Sequence, residues 1–255
     1  MSVLHRFSRT ELLIGTSGLQ RLKQSHVAVF GLGGVGSYAA EALCRSGIGK
    51  ITLVDFDDIC ITNLNRQLHA TSTTIGQSKV HTMAERCRQI SPESEIVAHS
   101  MFFDAESSAD LLGERYDYVV DAIDHITAKI HLLVSCREQG IPVIASMGAA
   151  AKLDSTKVLV ADIADTHTCR MARIIRKLLK KKGVTSGVKV VFSTEEYQAP
   201  SDIPSGGCRD NCVCPNKDTQ RFSCRHRRVI LGSSAHVPGI FGLTMAGEVI
   251  RDLLL

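Results

Sequence analysis

The sequence predicts an α/β protein with a Rossmann-like, doubly wound and mainly parallel sheet, followed by a C-terminal α/β extension. Three observations predict it. Short β-branched runs alternate with helical patterns between residues 26 and 146, a glycine-rich turn joins the first run to a helix, and acidic residues follow the runs. Such alternation is typical of right-handed βαβ units, which build one parallel sheet.

The predicted strands of the first part are, in chain order, HVAVF, KITLVD, SEIVAHS, YDYVVDA and IPVIAS. Helices are predicted between them at residues 35–45, 76–90, 105–112 and 126–139, and Pro92 follows the second of these, where a helix should end. After residue 150 the pattern becomes a strand LDSTKVLVAD, a basic helix, a strand VKVVFST, an irregular stretch over 195–228 and a last helix over 240–255. We therefore divide the chain into a first domain, 1–150, and an extension, 151–255.

Composition indicates a globular protein, because 44% of the 255 residues are hydrophobic and 22% are charged. Residues 1–150 carry 13 Lys and Arg against 16 Asp and Glu, whereas residues 151–255 carry 17 against 10, so the positive charge belongs to the extension. The start MSVLHRFSRTELL lacks the features of a secretory signal, and the longest uncharged run, 229–247, is too polar to span a membrane. We expect a cytoplasmic protein with no membrane partner.

A nucleotide-binding pattern lies directly after the first strand. Gly31, Gly33 and Gly36 form G-x-G-x-x-G at the start of a helix, and Gly34 lies in the same loop. These glycines let backbone N–H groups and the helix N-terminus approach a phosphate. Asp55, 19 residues beyond Gly36, can accept hydrogen bonds from ribose hydroxyls. The pattern predicts a nucleotide site without identifying the nucleotide.

Polar residues beyond Asp55 favour phosphoryl or nucleotidyl transfer over hydride transfer. The segment DFDDICITNLNRQLHATSTTIGQSKV contains Asn65, Arg66 and Lys79 near the place that a triphosphate would occupy. Cations there would neutralise the charge that develops during transfer. Asp121 and Asp124 follow the fourth strand, at the edge where open α/β sheets bind ligands and where a carboxylate can hold Mg²⁺.

The ordered motifs RFSR, GLGGVG, VDFDD, TNLNRQ, GQSKV and DAID make the first 150 residues resemble the ThiF/MoeB-like activating enzymes, which are related to the ubiquitin-activating enzymes. These enzymes adenylate a carboxylate with ATP. The resemblance implies a homodimer in which Arg9 reaches the ATP of the partner subunit, with phosphates held through an N-x-x-R-Q-like segment and the Lys of G-Q-x-K. It assigns catalytic roles to Arg9, Arg66, Lys79 and Asp124, the last as the Mg²⁺ ligand. Together with the glycine pattern and the strand-end carboxylates, it predicts ATP contacts from Gly31, Gly33, Gly34, Gly36, Asp55, Asp57, Asn65, Arg66, Gln67, Lys79, Asp121 and Asp124.

The C-terminal motifs DIAD, KVVFSTE and GSSAHVPGIFGLTMAGEVI resemble one branch of that family. This branch adenylates the threonylcarbamoyl carboxylate of a modified adenosine beside the tRNA anticodon and lets it cyclise with loss of water. An activated carboxylate attacked by a group of the same substrate needs no protein nucleophile. The chain also has no C-x-x-C pair, whereas sulfur-carrier activating members usually have two. Activation of a ubiquitin-like sulfur carrier is the alternative, followed by a dinucleotide-dependent oxidoreductase and a nucleotide sensor.

Four cysteines in the irregular stretch form the pattern C-x₃-C-x-C-x₉-C. Four thiolates within 17 residues can close a tetrahedral zinc site, so Zn²⁺ is one interpretation. Free or redox-active thiols, served by a sulfur-transfer or redox partner protein, are the second, and an acyl-accepting catalytic cysteine is the third. The residues are Cys208, Cys212, Cys214 and Cys224.

The basic helix of the extension is predicted to be amphipathic. Its buried face is predicted to carry apolar residues at helical spacing, namely Met171, Ile174, Ile175, Leu178 and Leu179. Its other face carries the cations Arg170, Arg173, Arg176, Lys177, Lys180 and Lys181. Such a face is often only solvated. The acidic excess of the first domain, the polyanionic substrate implied by the resemblance and a second basic group at Arg225, Arg227 and Arg228 favour tRNA binding.

Overall fold

The computed structural model of the chain describes residues 4–197 and 231–255. Its centre is one seven-stranded sheet built from β1 (His26–Phe30), β2 (Lys50–Val54), β3 (Glu95–His99), β4 (Tyr118–Asp121), β5 (Val143–Ser146), β6 (Val158–Asp162) and β7 (Lys189–Ser193). The strand order is β3-β2-β1-β4-β5-β7-β6, and only the β6–β7 pair is antiparallel. The chain winds outward in opposite directions from β1 and β4. Open α/β sheets bind their ligands at such a switch point.

Helices cover both faces of the sheet. They are α1 (Ser8–Gln24), α2 (Gly36–Ser46), α3 (Lys79–Ile90), α4 (Ser108–Leu111), α5 (Ile126–Glu138), α6 (Arg170–Lys181) and α7 (His236–Leu254). Apolar residues of α1, α2, α3 and α7 form one core cluster, and those of α4, α5 and α6 form the other. The doubly wound fold predicted from the alternating pattern is therefore confirmed.

The central strand β1 shows why both faces need helices. Val27 and Val29 pack into the α2 side, while Ala28 and Phe30 pack into the α5 side, because side chains alternate along a strand. All four are fully buried. A strand buried on both faces explains why the sequence shows a continuous apolar run rather than an alternating one.

Three helices differ from their predicted bounds by three residues or more at the N-terminal end. The helix predicted over 105–112 is only Ser108–Leu111, because the Asp104 carboxylate accepts the N–H groups of Glu106 and Ser107 in a turn before it. The helix predicted from residue 76 begins at Lys79, since Gly76 has a φ of 84°. The helix predicted from residue 240 begins four residues earlier, at His236.

The extension contributes to the same sheet as the first domain. β5 precedes the predicted boundary at residue 150 and β7 follows it, and the two strands pair in parallel. The division of the chain into two domains at this residue remains a prediction. The strand predicted over 153–162 covers only Val158–Asp162, because the Asp154 side chain accepts the N–H of Thr156 at 2.9 Å and caps a short 3₁₀ turn. None of the helices within 4–197 and 231–255 has the length and apolarity that spanning a bilayer requires.

Candidate functional site

The glycine-rich loop between β1 and α2 is shaped by two close backbone approaches. Gly31 has a φ of 87°, and a Cβ atom there would lie 2.8 Å from the carbonyl oxygen of Ala122. A Cβ atom on Gly36 would lie 1.8 Å from the carbonyl oxygen of Gly31. A Cβ on Gly33 would meet no described atom within 4 Å, so the loop is open at this point. Glycine at 31 and 36 is therefore required to seat the N-terminus of α2 over the strand.

The Asp55 carboxylate lies directly after β2 and joins two loops. One oxygen accepts the N–H of Leu32 at 2.6 Å, and the other accepts the N–H of Asp57 at 2.8 Å. Burial raises the pKa of Asp55, although the positive charge of Lys79 opposes the shift. A carboxylate has about four acceptor positions, so Asp55 can still accept hydrogen bonds from ribose hydroxyls.

Lys79 is the first residue of α3 and sits among carboxylates. Its Nζ lies 2.7 Å from Oδ2 of Asp57, and its side chain is only 7% exposed. Burial alone would lower the pKa of Lys79, but the attraction of Asp55, Asp57 and Asp124 outweighs burial and the pKa is raised. The structure thus brings together Lys79 and Asp124, which are 45 residues apart in the sequence. A charged, buried ammonium beside carboxylates suits a site for phosphate and a divalent cation.

Arg66 and Asn65 lie beside the glycine loop. Nη1 of Arg66 donates to the carbonyl oxygen of Thr62 and to Oδ1 of Asn65, both at 2.8 Å. The Asn65 amide donates to the carbonyl oxygen of Ser233 at 2.9 Å. A Cβ on Gly34 would lie 3.3 Å from Cγ of Arg66. The predicted phosphate-binding segment and the start of the C-terminal helix therefore meet at this loop.

One residue of this segment was missed by the sequence reasoning. Counted back from Arg66, the N-x-x-R spacing falls on Asn63 rather than on Asn65. Asn63 is 8% exposed, and its Oδ1 accepts the N–H of Cys60 at 3.0 Å, which closes a 3₁₀ turn. The N-x-x-R spacing of the motif was the sequence feature that could have identified Asn63. The carbonyl oxygen of Asn63 accepts the N–H of Arg66 at 3.1 Å, so Asn63 joins Asn65 as a candidate to orient Arg66.

Gln67 follows Arg66 and points into the protein. It is 6% exposed, and its Oε1 has no hydrogen-bond partner among the described residues. The next residue, Leu68, donates its N–H to Oγ of Ser37 in the first turn of α2 at 3.3 Å. The segment therefore packs against the helix that the glycine loop opens, and the ATP contact of Gln67 stays a prediction.

Asp121 has a different place from the one that the sequence suggested. Its carboxylate is fully buried and lies 2.8 Å from Nζ of Lys129, which is fully buried as well. Burial raises the pKa of Asp121, and the charge of Lys129 opposes this shift. The Asp121 carboxylate has no exposed surface, so the structure gives no support to its predicted ATP contact. Asp124, three residues on, is exposed.

Three aromatic rings that sequence reasoning did not select lie at the same edge of the sheet. Phe56 and Phe102 meet edge to face at 5.0 Å, and Phe102 meets the ring of His125 at 5.5 Å. They follow β2, β3 and β4 respectively, beside Asp55 and Asp124. Such rings offer a stacking surface for a purine base. The tertiary structure brings them together from three separate segments.

The start of α7 lies against one side of the glycine-rich loop between β1 and α2. The His236 ring makes a hydrogen bond to the carbonyl oxygen of Leu153 at 2.8 Å. A Cβ on Gly34 would lie 3.2 Å from Cβ of Pro238. The C-terminal part of the chain therefore borders the candidate nucleotide site.

Arg9 lies apart from these residues. It is exposed on α1, and among the described residues no hydrogen bond or ion pair joins it to the site. Leu12 and Leu13 on the same helix are 88% and 84% exposed. The structure therefore does not bring Arg9 to the nucleotide site of its own chain.

The basic helix α6 forms as predicted, but its buried face is rotated. Ile175 and Leu179 are fully buried and Ala172 is 1% exposed, whereas Ile174 is 44% exposed. The prediction of Ile174 as a core residue is therefore wrong. The buried residues 172, 175 and 179 follow the 3.6-residue period of a straight helix.

The cations of α6 differ in their environments. Nη1 of Arg176 donates to the carbonyl oxygens of Thr166 at 2.7 Å and Ile163 at 3.3 Å, which anchors the loop before the helix. The Arg170 guanidinium lies 4.2 Å above the ring of Tyr197. Lys181 is exposed. An open cavity of about 440 Å³ is lined by Ala164, Arg173, Arg176, Lys177, Lys180 and Thr185.

The basic helix begins at the edge of the sheet that carries the nucleotide site. Gly148 follows the carboxyl end of β5, and a Cβ atom there would lie 3.5 Å from Cβ of Met171. A polyanion bound along α6 could therefore extend to the nucleotide site.

Two predicted groups lie outside the described residues. They are the cysteines Cys208, Cys212, Cys214 and Cys224 and the second basic group Arg225, Arg227 and Arg228. Within 4–197 and 231–255, no three His, Cys, Asp or Glu side chains form a cluster that could hold a metal ion. Mg²⁺ does not need such a cage, because it usually binds through one or two carboxylates together with substrate phosphates.

Comparison with known proteins covers nearly the whole chain. The ThiF family matches residues 7–254. The tRNA threonylcarbamoyladenosine dehydratase of Bacillus subtilis is 47% identical over 252 residues, which are 99% of this chain and 96% of that protein. The Escherichia coli protein of the same name is 37% identical over 98% of this chain and 93% of its own length. The crystal structure of the E. coli enzyme in complex with ATP superposes with a TM-score of 0.82 at 35% identity, covering 97% of this chain and 93% of that one.

Proposed function

The chain belongs to the ThiF family, and from this premise we propose that it is an ATP-dependent enzyme that adenylates the threonylcarbamoyl carboxylate of a modified tRNA adenosine and lets it cyclise. The observation that carries the adenylation step is the cluster of Lys79, Asp57 and Asp124 beside the glycine loop. The tRNA substrate is supported by the relatives named tRNA threonylcarbamoyladenosine dehydratase. Their sequence similarity to this chain spans both the first domain and the extension.

The site residues fit ATP in a defined order along the edge of the sheet. The rings of Phe56 and Phe102 offer a surface for adenine, and Asp55 accepts the ribose hydroxyls. The amides of the glycine loop and the N-terminus of α2 face the phosphates. Arg66 and Lys79 neutralise the charge that builds on the phosphoryl oxygens. An oxidoreductase would not need these two cations.

The reaction then follows in two steps. A carboxylate oxygen of the substrate bonds to the α-phosphorus, the bond between the α-phosphorus and the bridging oxygen breaks, and pyrophosphate leaves. A neighbouring nucleophile of the same substrate then attacks the acyl carbon, and AMP leaves with the former carboxylate oxygen. Holding both groups of one substrate together makes the second step intramolecular. The protein has to orient the substrate and exclude water.

The donor set fits Mg²⁺. Asp57 and Asp124 have carboxylate oxygens near Lys79 that could serve as ligands, and nucleotide-bound Mg²⁺ commonly takes one or two carboxylates besides phosphate oxygens. When bound, Mg²⁺ would withdraw charge from the phosphates. Asp124, which is exposed, would bind the Mg²⁺ ion. Lys79, through its contact with Asp57, would keep the Asp57 carboxylate oriented towards the same ion.

A homodimer would complete the site. Leu4, Leu12 and Leu13 are 87%, 88% and 84% exposed at the N-terminus, and a second copy of the chain would bury this apolar group. Arg9 lies on the same helix and would then reach the ATP of the partner subunit, as the family resemblance implies. Arg9 would supply a third cation beside Arg66 and Lys79.

The extension would bind the tRNA. The exposed residues Arg173, Lys177 and Lys180 line the cavity on α6, and the helix starts at the edge that carries the ATP site. Cations in a row neutralise successive phosphates. A tRNA substrate also supports a cytoplasmic location. Zinc at the cysteine group, and a sulfur-transfer or redox partner that would act there, remain predictions.

Pyrophosphate exchange into ATP tests the proposal. We expect exchange with tRNA that bears the threonylcarbamoyl group and none with the same tRNA lacking it. A ubiquitin-like carrier protein ending in Gly-Gly is the second substrate to test. Exchange with the carrier alone would establish the sulfur-carrier alternative and contradict the proposal. The cyclic product is then identified by mass spectrometry of digested tRNA.

A further inference from the structure

A fully buried ion pair lies beneath the loop that carries Asp124. Lys129 on α5 and Asp121 at the end of β4 are each 0% exposed, and Nζ lies 2.8 Å from Oδ2. Nζ also lies 3.4 Å from the carbonyl oxygen of Asp121. Removing two charges from water costs about as much free energy as their attraction returns, so an apolar pair often gives equal stability. Stability alone therefore does not account for this pair.

The pair fixes the shape of residues 121–124. The second oxygen of Asp121 accepts the N–H of Ile123 at 3.0 Å, and the N–H of Ala122 donates to the carbonyl oxygen of Phe30 at 2.8 Å. The carbonyl group of Ala122 is the one that approaches Gly31 so closely. The segment is therefore held between the glycine loop on one side and the buried pair on the other.

Lys129 also ties this segment to the start of α5. Its N–H donates to the carbonyl oxygen of His125 at 2.9 Å in the first turn, and the His125 ring accepts the N–H of Ala128 at 3.3 Å. The Lys129 ammonium group contacts the Asp121 carboxylate, so this ion pair closes residues 121–129 into a ring. Asp124 lies within this ring, between the strand end and the helix start.

We propose that Lys129 is a positioning residue, which acts through Asp121 to hold Asp124 towards the nucleotide phosphates and their divalent cation. Because Lys129 has no exposed surface, it cannot contact ATP or tRNA, in contrast to Arg66 and Lys79. The inference rests on the proposed function, since that function gives Asp124 its role. Removing a group that orients a metal ligand without contacting the metal itself typically lowers metal affinity or activity by about 10- to 100-fold.

The test compares Lys129→Met with Lys129→Arg and with a remote control. Binding of ATP is measured by titration calorimetry at a series of Mg²⁺ concentrations, and pyrophosphate exchange is measured over the same series. We expect Lys129→Met to raise the Mg²⁺ concentration needed for half-maximal ATP binding by about tenfold or more. Lys129→Arg keeps the charge and should restore part of the Mg²⁺ affinity.

The control is Lys189→Met. Lys189 begins β7 at the opposite edge of the sheet and pairs with Asp252 at 2.6 Å. This variant removes the ion pairs of Lys189 with Asp252 and Glu248 and should keep the Mg²⁺ dependence of the parent. A change of similar size in Lys189→Met would show that reduced stability alone moves the readout, and would overturn the inference.

A second variant keeps the test decisive if Lys129→Met does not fold. The double variant Asp121→Asn with Lys129→Met leaves no buried charge without a partner, and it should fold while still raising the Mg²⁺ requirement. A folded variant with the parent Mg²⁺ dependence refutes the positioning role. Failure of the parent to exchange pyrophosphate with modified tRNA would instead contradict the proposed function, and the ATP-binding series would still decide the role of Lys129.

Discussion

Substituting His69 by leucine should change how the stability of the protein depends on pH. His69 lies two residues after Gln67, is 2% exposed, and neither ring nitrogen has a hydrogen-bond partner within the described part of the chain. Burial, together with the nearby charges of Lys79 and Arg86, lowers the pKa of His69 to about 3 from a reference value of 6.5. The folded protein therefore keeps this imidazole neutral beside Lys79 and Arg86.

The sign and size of the effect follow from the two pKa values. Below pH 6.5 the unfolded chain binds a proton at this histidine, whereas the folded chain does not until the pH approaches 3. Stability is therefore complete above the unfolded pKa and is lost as the pH falls. At pH 5 the unfolded state gains about 2 kcal/mol from this one proton.

Urea unfolding followed by circular dichroism at pH 7.5, 6 and 5 measures the effect. Leucine has a similar volume and no ring nitrogens, so His69→Leu should gain about 2 kcal/mol relative to the parent between pH 7.5 and pH 5. Other titrating groups cancel in this difference. His81, exposed on α3, provides the control, and His81→Leu should run parallel to the parent. A stability difference between His69→Leu and parent that stays constant with pH would refute the reasoning.

Three further outcomes are expected. Arg66→Ala should lower the pyrophosphate exchange rate about a hundredfold, equivalent to roughly 3 kcal/mol, with an unchanged circular dichroism spectrum, and unchanged exchange would remove Arg66 from the site. Asp124→Asn should raise the Mg²⁺ requirement with little change in Tm, because Asp124 is exposed and the cap of α5 is the His125 ring; a large fall in Tm with normal activity at saturating Mg²⁺ would assign Asp124 a structural role. Arg173→Glu combined with Lys177→Glu should weaken tRNA binding in gel retardation and reduce its salt slope by about 0.7 to 0.9 for each phosphate that the helix no longer neutralises, while ATP binding persists. Retardation equal to that of the parent over a salt series would exclude α6 from RNA binding.

Much of the fold could be predicted because its signals are local. The runs that became β1, β2, β4 and β5 are buried along most of their length, as strands covered by helices on both faces must be, and helical spacing separates them. The least accurate bounds lie where polar side chains compete with the helix, as at Asp104, or where a glycine adopts a positive φ, as at Gly76. Such competition depends on a few hydrogen bonds that periodicity does not contain.

The sequence by itself determined the order of elements, the glycine turn and the acidic residues at the strand ends, because each of these is encoded within a few neighbouring positions. The tertiary structure decided which charges meet. Lys79 approaches Asp57 and Lys129 approaches Asp121 only after separate segments dock, and neither helical period nor spacing marks Lys129 as a buried charge. The same holds for Ile174, whose exposure depends on how α6 rotates against the sheet. Side-chain packing of this kind depends on many interactions between residues that are distant in sequence. A local sequence pattern therefore limits the possible arrangements without selecting one of them.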